Sequence, residues 1–201
     1  MSVFYKTIEK EGNSNHRVLA SKHLGFALPI KNEFQAKELI KEFKARYYDA
    51  NHVCFAYRCG IADLQRNSDD GEPTGTAGKP IAGAILSNGI TQTLVMVVRY
   101  FGGTKLGTGG LIQAYKTAAL MAIEDAGIIE KRWKRKVEIS CDYDQLPLIM
   151  SSLKQMDAEK EFIIQEERCL LAYIIDDDLI AGLIEFADNS NKINIQVGEL
   201  L

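Results

Sequence analysis

The sequence predicts an α+β protein of two domains, and three observations carry that prediction. A continuous apolar run that begins at Leu94 and is closed by Arg99 is typical of a strand buried on both faces. Beyond residue 136 the pattern changes to a regular β-α-β-β-α-β order, which is the ferredoxin-like arrangement. The charge changes at the same place, because residues 1–136 carry 20 Lys and Arg against 13 Asp and Glu, whereas residues 137–201 carry 4 against 14. We therefore expect a first domain over 1–133, with a charge of +7 over residues 1–136, and an acidic second domain over 137–201.

In the first domain, hydrophobic spacing and turn residues predict the elements in chain order. The predicted strands are 4–8, a strand or hairpin over 18–30, 53–59 and 94–99. The predicted helices are 33 to about 47 with Asn32 as its N-cap, 80 to about 87, and 111 to about 125. We expect a long loop over 64–78 and a glycine-rich turn over 102–110, and Gly127 should end the last helix.

The second domain is more regular, and the spacing of its apolar residues predicts each of its elements. Strands are predicted over 137–143, 162–166, 169–175 and 193–197. Amphipathic helices are predicted over 145–156 and 178–187. The ferredoxin-like arrangement hosts many functions, so it fixes none of them.

Composition excludes several classes of protein. Hydrophobic residues make up 46% of the chain and charged residues 25%, which is ordinary for a soluble globular protein. No apolar run approaches the roughly 20 residues that span a bilayer, and the first residues contain no leader-peptide core. Four cysteines without a C-x-x-C pair and only three histidines argue against a disulfide framework or a zinc site. We expect a cytoplasmic protein that binds no membrane, metal or other cofactor.

The most informative stretch is a pair of glycine-rich segments that together can bind an anion. Five glycines between positions 102 and 110 allow close backbone approach, and their N–H groups can form a concave nest before a helix N-terminus. Arginine and lysine side chains nearby add full charges, and threonines add hydroxyl groups. The candidate residues for binding a phosphate or a nucleic-acid backbone are Thr76, Lys79, Arg99, Gly102, Gly103, Thr104, Lys105, Gly107, Thr108, Gly109 and Gly110.

Other interpretations of this stretch stay open. It does not match the phosphate-binding G-x-x-x-x-G-K-[ST] motif, and its glycines can simply make a tight strand-to-helix crossing. The acidic turn formed by Asp69, Asp70 and Glu72 can hold Mg²⁺ or can be a solvated turn, and we favour the solvated turn. No serine or cysteine has an evident histidine base, so we assign no catalytic residue.

A second basic patch lies where the two domains join. Its residues are Lys131, Arg132, Trp133, Lys134 and Arg135, followed by Lys136. Such a patch can follow phosphates and stack a base on its tryptophan. The alternative is a solvated linker in which Trp133 covers an interface.

The long motif also resembles the signature of a known family. D-D-G-E-P-T-G-T-A-G-K-P-I over 69–81 and V-V-R-Y-F-G-G-T-K-L-G-T-G-G-L-I-Q-A-Y over 97–115 are very similar to the IMPACT/YigZ family. Upstream segments at 21–23 and 50–54 also resemble it, although His23 stands where the family has an aromatic residue and Val53 where it has a second histidine. The resemblance implies a first domain like domain 2 of ribosomal protein S5 and a second like a ferredoxin-like domain of elongation factor G.

The resemblance also bears on function, and three hypotheses follow. Eukaryotic relatives restrain a translation-control kinase by competing for its activator, which implies a setting near translation. The first hypothesis is a non-enzymatic protein that contacts RNA, the ribosome or a translation-regulating protein through the basic first domain. The second is a protein-docking module whose glycine motif is purely structural, and the third is an enzyme acting on a phosphorylated small molecule.

Overall fold

The computed structural model describes residues 4–60, 63–165, 167–189 and 192–200. These residues form two compact units, of which the first is Tyr5–Lys131. The second consists of the residues from Arg132 onward together with Phe4. Among the described residues, no helix is both long enough and apolar enough to span a membrane.

The first unit is built on a five-stranded antiparallel sheet in the order β2-β3-β6-β4-β5. Its strands are β2 (Gly12–Val18), β3 (Ser21–Pro29), β4 (His52–Cys59), β5 (Leu64–Ser68) and β6 (Thr93–Tyr100). Strands β1 (Phe4–Ile8) and β7 (Ile128–Arg132) form a separate two-stranded sheet. The helices are α1 (Glu33–Arg46), α2 (Gly78–Ser87) and α3 (Gly107–Ala126).

Strand β6 lies at the centre of the sheet, and alternate residues along it enter two different cores. Val95 and Val97 pack in the cluster that contains apolar residues of α2 and α3. Leu94 and Met96 pack with residues of α1 in the other cluster. Because both faces are covered by helices, the strand is apolar on both sides up to Arg99, as the run that Arg99 closes predicts.

The structure confirms the residues predicted to begin one helix and to end another. The side chain of Asn32 accepts a hydrogen bond from the Gln35 backbone N–H at 2.9 Å, which confirms it as the N-cap of α1. Gly127 adopts φ +70° immediately after α3, as expected of the residue that ends a helix.

Two polar strands and one helix start were predicted wrongly. Strand β5 lies inside the predicted loop over 64–78, and β2 begins six residues before the predicted hairpin. Both strands are at sheet edges and lack an apolar alternation, so sequence periodicity does not reveal them. Helix α3 begins at Gly107 rather than at 111, because tertiary packing overrides the poor helix propensity of its first glycines.

The second unit has the predicted β-α-β-β-α-β order of elements. Its elements are β8 (Lys134–Cys141), α4 (Leu146–Gln155), β9 (Glu159–Gln165), β10 (Cys169–Asp176), α5 (Ile180–Asp188) and β11 (Ile193–Leu200). The antiparallel sheet has the order β11-β8-β10-β9, and the buried core includes Val137, Ile139, Ile149, Leu153 and Leu171. Residue 166, the predicted end of one strand, lies outside the described residues.

The segment predicted to join the domains is part of two strands. Strand β7 ends at Arg132 and β8 begins at Lys134, and the first compact unit ends at Lys131. Residues 5–131 carry 16 Lys and Arg against 13 Asp and Glu, and residues 132–201 carry 8 against 14. The first unit is therefore only mildly basic, at +3, because four of the cations that give residues 1–136 a charge of +7 belong to the second unit.

Candidate functional site

Strand register brings three widely separated polar residues into one row across the sheet. Arg99 on β6 lies opposite His23 on β3 and opposite His52 on β4. Residues directly opposite in antiparallel strands project from the same face, and here that face is the one covered by α2 and α3. The sequence distances between these residues give no hint of this arrangement, which depends on the pairing of three strands.

The centre of the site is a buried ion pair. Nη1 of Arg99 lies 2.6 Å from Oε1 of Glu72, and the two residues are only 6% and 8% exposed. The hydroxyl of buried Tyr115 donates to the same carboxylate oxygen at 2.7 Å, while Nε of Arg99 has no hydrogen-bond partner. Two charges buried together depend on each other, since either one alone would be left uncompensated in a low-dielectric site.

The other two carboxylates of the acidic turn hold backbone in place. Asp69 accepts hydrogen bonds from the backbone N–H groups of Gly75, Ala77 and Gly78, at 2.8, 3.0 and 2.8 Å. Burial alone would raise the pKa of Asp69, but these three bonds lower it below its ordinary value. Asp69 thus caps the start of α2.

Asp70 joins α1 to the start of β4. Its carboxylate pairs with Lys44 and accepts the Val53 N–H at 2.7 Å, and its carbonyl oxygen accepts a hydrogen bond from Nδ1 of His52 at 2.8 Å. All three acidic side chains are therefore used in structural contacts, and the favoured interpretation of a solvated turn is wrong. In the described part of the chain, no group of three or more His, Cys, Asp or Glu is placed to hold a metal ion.

A cleft of about 460 Å³ opens above the ion pair. It is lined by Asn51, His52, Glu72, Arg99, Phe101 and Lys105, with Gly107, Thr108 and Leu111 of α3 among the remaining lining residues, and we call it the α3 cleft. The N-cap of α3, Leu106, makes no side-chain hydrogen bond to the first turn of the helix. The first N–H groups of α3 therefore carry a partial positive charge beside Lys105, at the mouth of the cleft.

Only some of the predicted anion-binding residues reach this cleft. The structure brings together Arg99, Lys105, Gly107 and Thr108. Thr76 is buried and donates its hydroxyl to the Pro73 carbonyl at 2.7 Å. Lys79, Thr104 and the remaining glycines do not line the cleft, and Gly109 and Gly110 lie within α3.

Gly102 serves close packing rather than anion binding. A Cβ atom at this position would lie 2.0 Å from the carbonyl carbon of Ala20, and the Gly102 N–H donates to the Ser21 hydroxyl at 3.1 Å. By contrast, Gly103 and Gly107 adopt φ values of +86° and +70°, which favour glycine. The glycines of the motif therefore have two roles. Gly102 allows a tight crossing, and Gly103 and Gly107 form the turn that leads into α3.

Replacement of Gly102 by alanine is expected to lower the free energy of unfolding by about 1–3 kcal/mol, because backbone must move to make room for the methyl group. Gly109→Ala is the matched control, since a Cβ there meets nothing within 4 Å and alanine favours a helix. Urea denaturation of both variants measures the difference. Equal stabilities of the two variants would contradict the packing role of Gly102.

The predicted second basic patch is occupied by its own acidic neighbours. Arg132 pairs with Asp176 and Asp178, Lys134 with Glu159, Arg135 with Asp177, and Lys136 with Glu138 and Glu161. Trp133 is only 8% exposed, so its ring is not available to stack a base. These pairings favour a structural role of the segment over a nucleic-acid surface.

Cys54 lies beneath the ion pair but is not a nucleophile. Its thiol is fully buried and contacts the Asp69 carbonyl at 3.0 Å and the Tyr115 hydroxyl at 3.5 Å. Burial raises the pKa of this thiol to about 12, so it stays protonated and unreactive near neutral pH.

Sequence reasoning missed several residues that shape the site. Asn51, His52, Phe101 and Tyr115 are not among the residues that the sequence predicts for the site. Phe101 is 44% exposed at the cleft, and its backbone N–H donates to the Asn51 side chain at 2.7 Å. An aromatic residue between a cationic strand end and a glycine turn is the signal that could have revealed it.

Comparisons with known proteins match this site and the whole chain. The family model described as the Impact N-terminal domain matches residues 19–123, which include the acidic turn and the start of α3. The chain is 34% identical over 163 residues to IMPACT family member YvyE of Bacillus subtilis (strain 168), covering 81% of this chain and 73% of that protein. It is 37% identical over 127 residues to IMPACT family member YigZ of Escherichia coli (strain K12), covering 62% of each. A crystal structure of a hypothetical protein aligns over 98% of both chains with a TM-score of 0.74 and 27% identity, so the likeness of fold extends over both units.

Proposed function

Since this chain belongs to the IMPACT family, we propose that it is a non-enzymatic binding protein linked to translation, which contacts single-stranded RNA through the α3 cleft. The family resemblance provides the link to translation and a cytoplasmic setting. It also leads us to assign the first unit to the fold of domain 2 of ribosomal protein S5 and the second to the ferredoxin-like fold of an elongation factor G domain. The β-α-β-β-α-β order and the β11-β8-β10-β9 sheet support the second assignment.

The observation that carries the proposal is the combination of groups at the α3 cleft. The uncapped N-terminus of α3 and the exposed ammonium group of Lys105 lie together at its wall, and Arg99 lies at its floor. A helix N-terminus beside a cation is a site for a phosphate group. An exposed aromatic ring beside such a site adds a platform for a base, and Phe101 has that position.

The proposal rests on this local geometry and not on net charge. At +3, the first unit is too weakly basic for nonspecific attraction to be the main argument. Glu72 also neutralises Arg99 in part. A cleft with few cations should bind a short stretch of unpaired RNA with a moderate dependence on salt, because few phosphates are neutralised.

Lys105→Ala is expected to weaken binding of single-stranded RNA about three- to tenfold at low salt and to reduce the slope of log K against log salt by about one. Fluorescence anisotropy of a labelled oligonucleotide across a salt series measures both quantities. Lys105 is exposed and has room to change, whereas Arg99→Ala would leave Glu72 buried without its partner.

Lys41→Ala is the matched control, since Lys41 is an exposed lysine on α1 that does not line the cleft. The proposal predicts that this variant binds like the unaltered protein. If Lys41→Ala and Lys105→Ala have equal effects, RNA is attracted by charge in general, and the α3 cleft is not its site. If no RNA binds at low salt, the protein-docking hypothesis takes the place of this one.

A further inference from the structure

We propose that the α3 cleft recognises an unpaired guanine base, an inference that rests on the proposed function and names the ligand more closely. Single-stranded RNA is recognised by stacking a base on an aromatic ring and by hydrogen bonds to its Watson–Crick edge. The cleft offers a ring at its mouth and polar groups at its floor. Which base fits depends on where those groups are donors and where they are acceptors.

The floor of the cleft presents two neighbouring hydrogen-bond acceptors. Nδ1 of His52 lies 2.8 Å from the Asp70 carbonyl oxygen, and because a carbonyl only accepts, Nδ1 carries the proton. In this tautomer Nε2 is the acceptor nitrogen, and it lies 3.8 Å from Oε1 of Glu72. The Glu72 carboxylate has about four acceptor positions. Arg99 and Tyr115 use the two on Oε1, so Oε2 of the same carboxylate is the oxygen that can accept a further hydrogen bond.

Two adjacent acceptors select guanine among the four RNA bases. Guanine carries N–H donors on two neighbouring atoms, N1 and N2, whereas adenine and cytosine place a ring-nitrogen lone pair beside their amino group. Uracil has one N–H between two carbonyl oxygens. In each of these three bases an acceptor atom would therefore face the Glu72 carboxylate or His52, which are acceptors themselves. A buried acceptor without a donor is costly.

The remaining groups of the cleft suit the rest of a guanine nucleotide. The guanidinium of buried Arg99, whose Nε has no hydrogen-bond partner, is a donor for the O6 side of the base. Its Cζ lies 5.4 Å from the centre of the Phe101 ring, which is 44% exposed at the same cleft, so an aromatic surface for the base lies beside the arginine. The N-terminus of α3 and the Lys105 side chain can bind the phosphate group of the nucleotide.

Binding of labelled oligouridines of about eight nucleotides that carry one central guanine, adenine, cytosine or inosine tests this inference. We expect the guanine oligonucleotide to bind about tenfold more tightly than the adenine and cytosine ones. Inosine retains N1–H and O6 but lacks the N2 amino group, so its affinity should be intermediate. In Glu72→Gln the preference for guanine should be lost, and Phe101→Ala should weaken binding of all four oligonucleotides.

The inosine comparison uses the unaltered protein, so it stays decisive even if Glu72→Gln folds poorly. Equal binding of all four oligonucleotides, still weakened by Lys105→Ala, would overturn guanine recognition and leave the proposed function intact. No binding of any oligonucleotide would overturn both. Competition by 5′-GMP distinguishes guanine within RNA from the free nucleotide. If free GMP displaces the oligonucleotide at concentrations as low as those at which the RNA binds, the assignment to RNA is overturned.

Discussion

Replacing Glu72 by alanine is expected to lower the free energy of unfolding of the first unit by about 3–5 kcal/mol. The change leaves the Arg99 guanidinium buried without its counter-charge and removes the acceptor of the Tyr115 hydroxyl. Urea denaturation followed by circular dichroism measures the effect. Glu38→Ala is the matched control, because Glu38 is exposed on α1 and should change stability by no more than about 0.5 kcal/mol.

A double variant separates the ion pair from simple loss of packing. Glu72→Ala/Arg99→Met removes both charges and places an apolar side chain where the arginine lies, so it should recover a large part of the lost stability. If the double variant is as unstable as the sum of the two single changes, the two charges do not depend on each other. The description of the ion pair as the centre of the site would then be wrong.

Acidification is expected to destabilise the first unit through His23, by roughly 3 kcal/mol in total. Burial lowers the pKa of His23 from its ordinary value of 6.5 to about 4, and Arg99 and His16 lower it further against a smaller opposing effect of Glu72. Neither ring nitrogen makes a hydrogen bond of good geometry, although a weak contact with the His16 backbone slightly favours the charged form. The fold therefore favours the neutral ring.

The lowered pKa of His23 determines the direction in which stability changes with pH. Above pH 6.5 the ring is neutral in both states and its contribution is fully present, whereas between pH 6.5 and about 4 the unfolded chain binds the proton first and stability is lost. His23→Phe should flatten this part of the stability curve, since phenylalanine can keep the edge-to-face contact with Tyr115, whose ring centre lies 5.3 Å away. A stability that falls as steeply in His23→Phe as in the unaltered protein would contradict this account.

The parts of the fold that could be predicted from the sequence are those set by local chemistry. Asn32 capped its helix, Gly127 ended another, and the apolar run of β6 became the central strand. The polar edge strands β2 and β5 were missed because their pairing with β3 and β4, rather than an apolar pattern, makes them strands. Their sequences look like loops until the partner strand is known.

The site was predictable only in part, for a different physical reason. The glycine-rich motif identified Arg99 and Lys105 as site residues. The sequence does not show that Glu72 forms a buried pair with Arg99, since 27 positions separate the two residues. The same holds for His23 and His52, which meet Arg99 only through strand register. The basic run from Lys131 misled for the same reason, because its acidic partners come from distant strands and a helical turn.

An NMR titration of the isotope-labelled full chain with the guanine-containing oligonucleotide shows directly whether RNA binds at the α3 cleft. We expect the backbone chemical shifts to change at Asn51, Phe101 and Lys105 and in the first turn of α3, all at the α3 cleft. Lys105→Ala should reduce these changes, and residues of the second unit should stay unaffected. Shifts confined to the second unit, or spread evenly over exposed lysines, would contradict the claim that this cleft binds RNA.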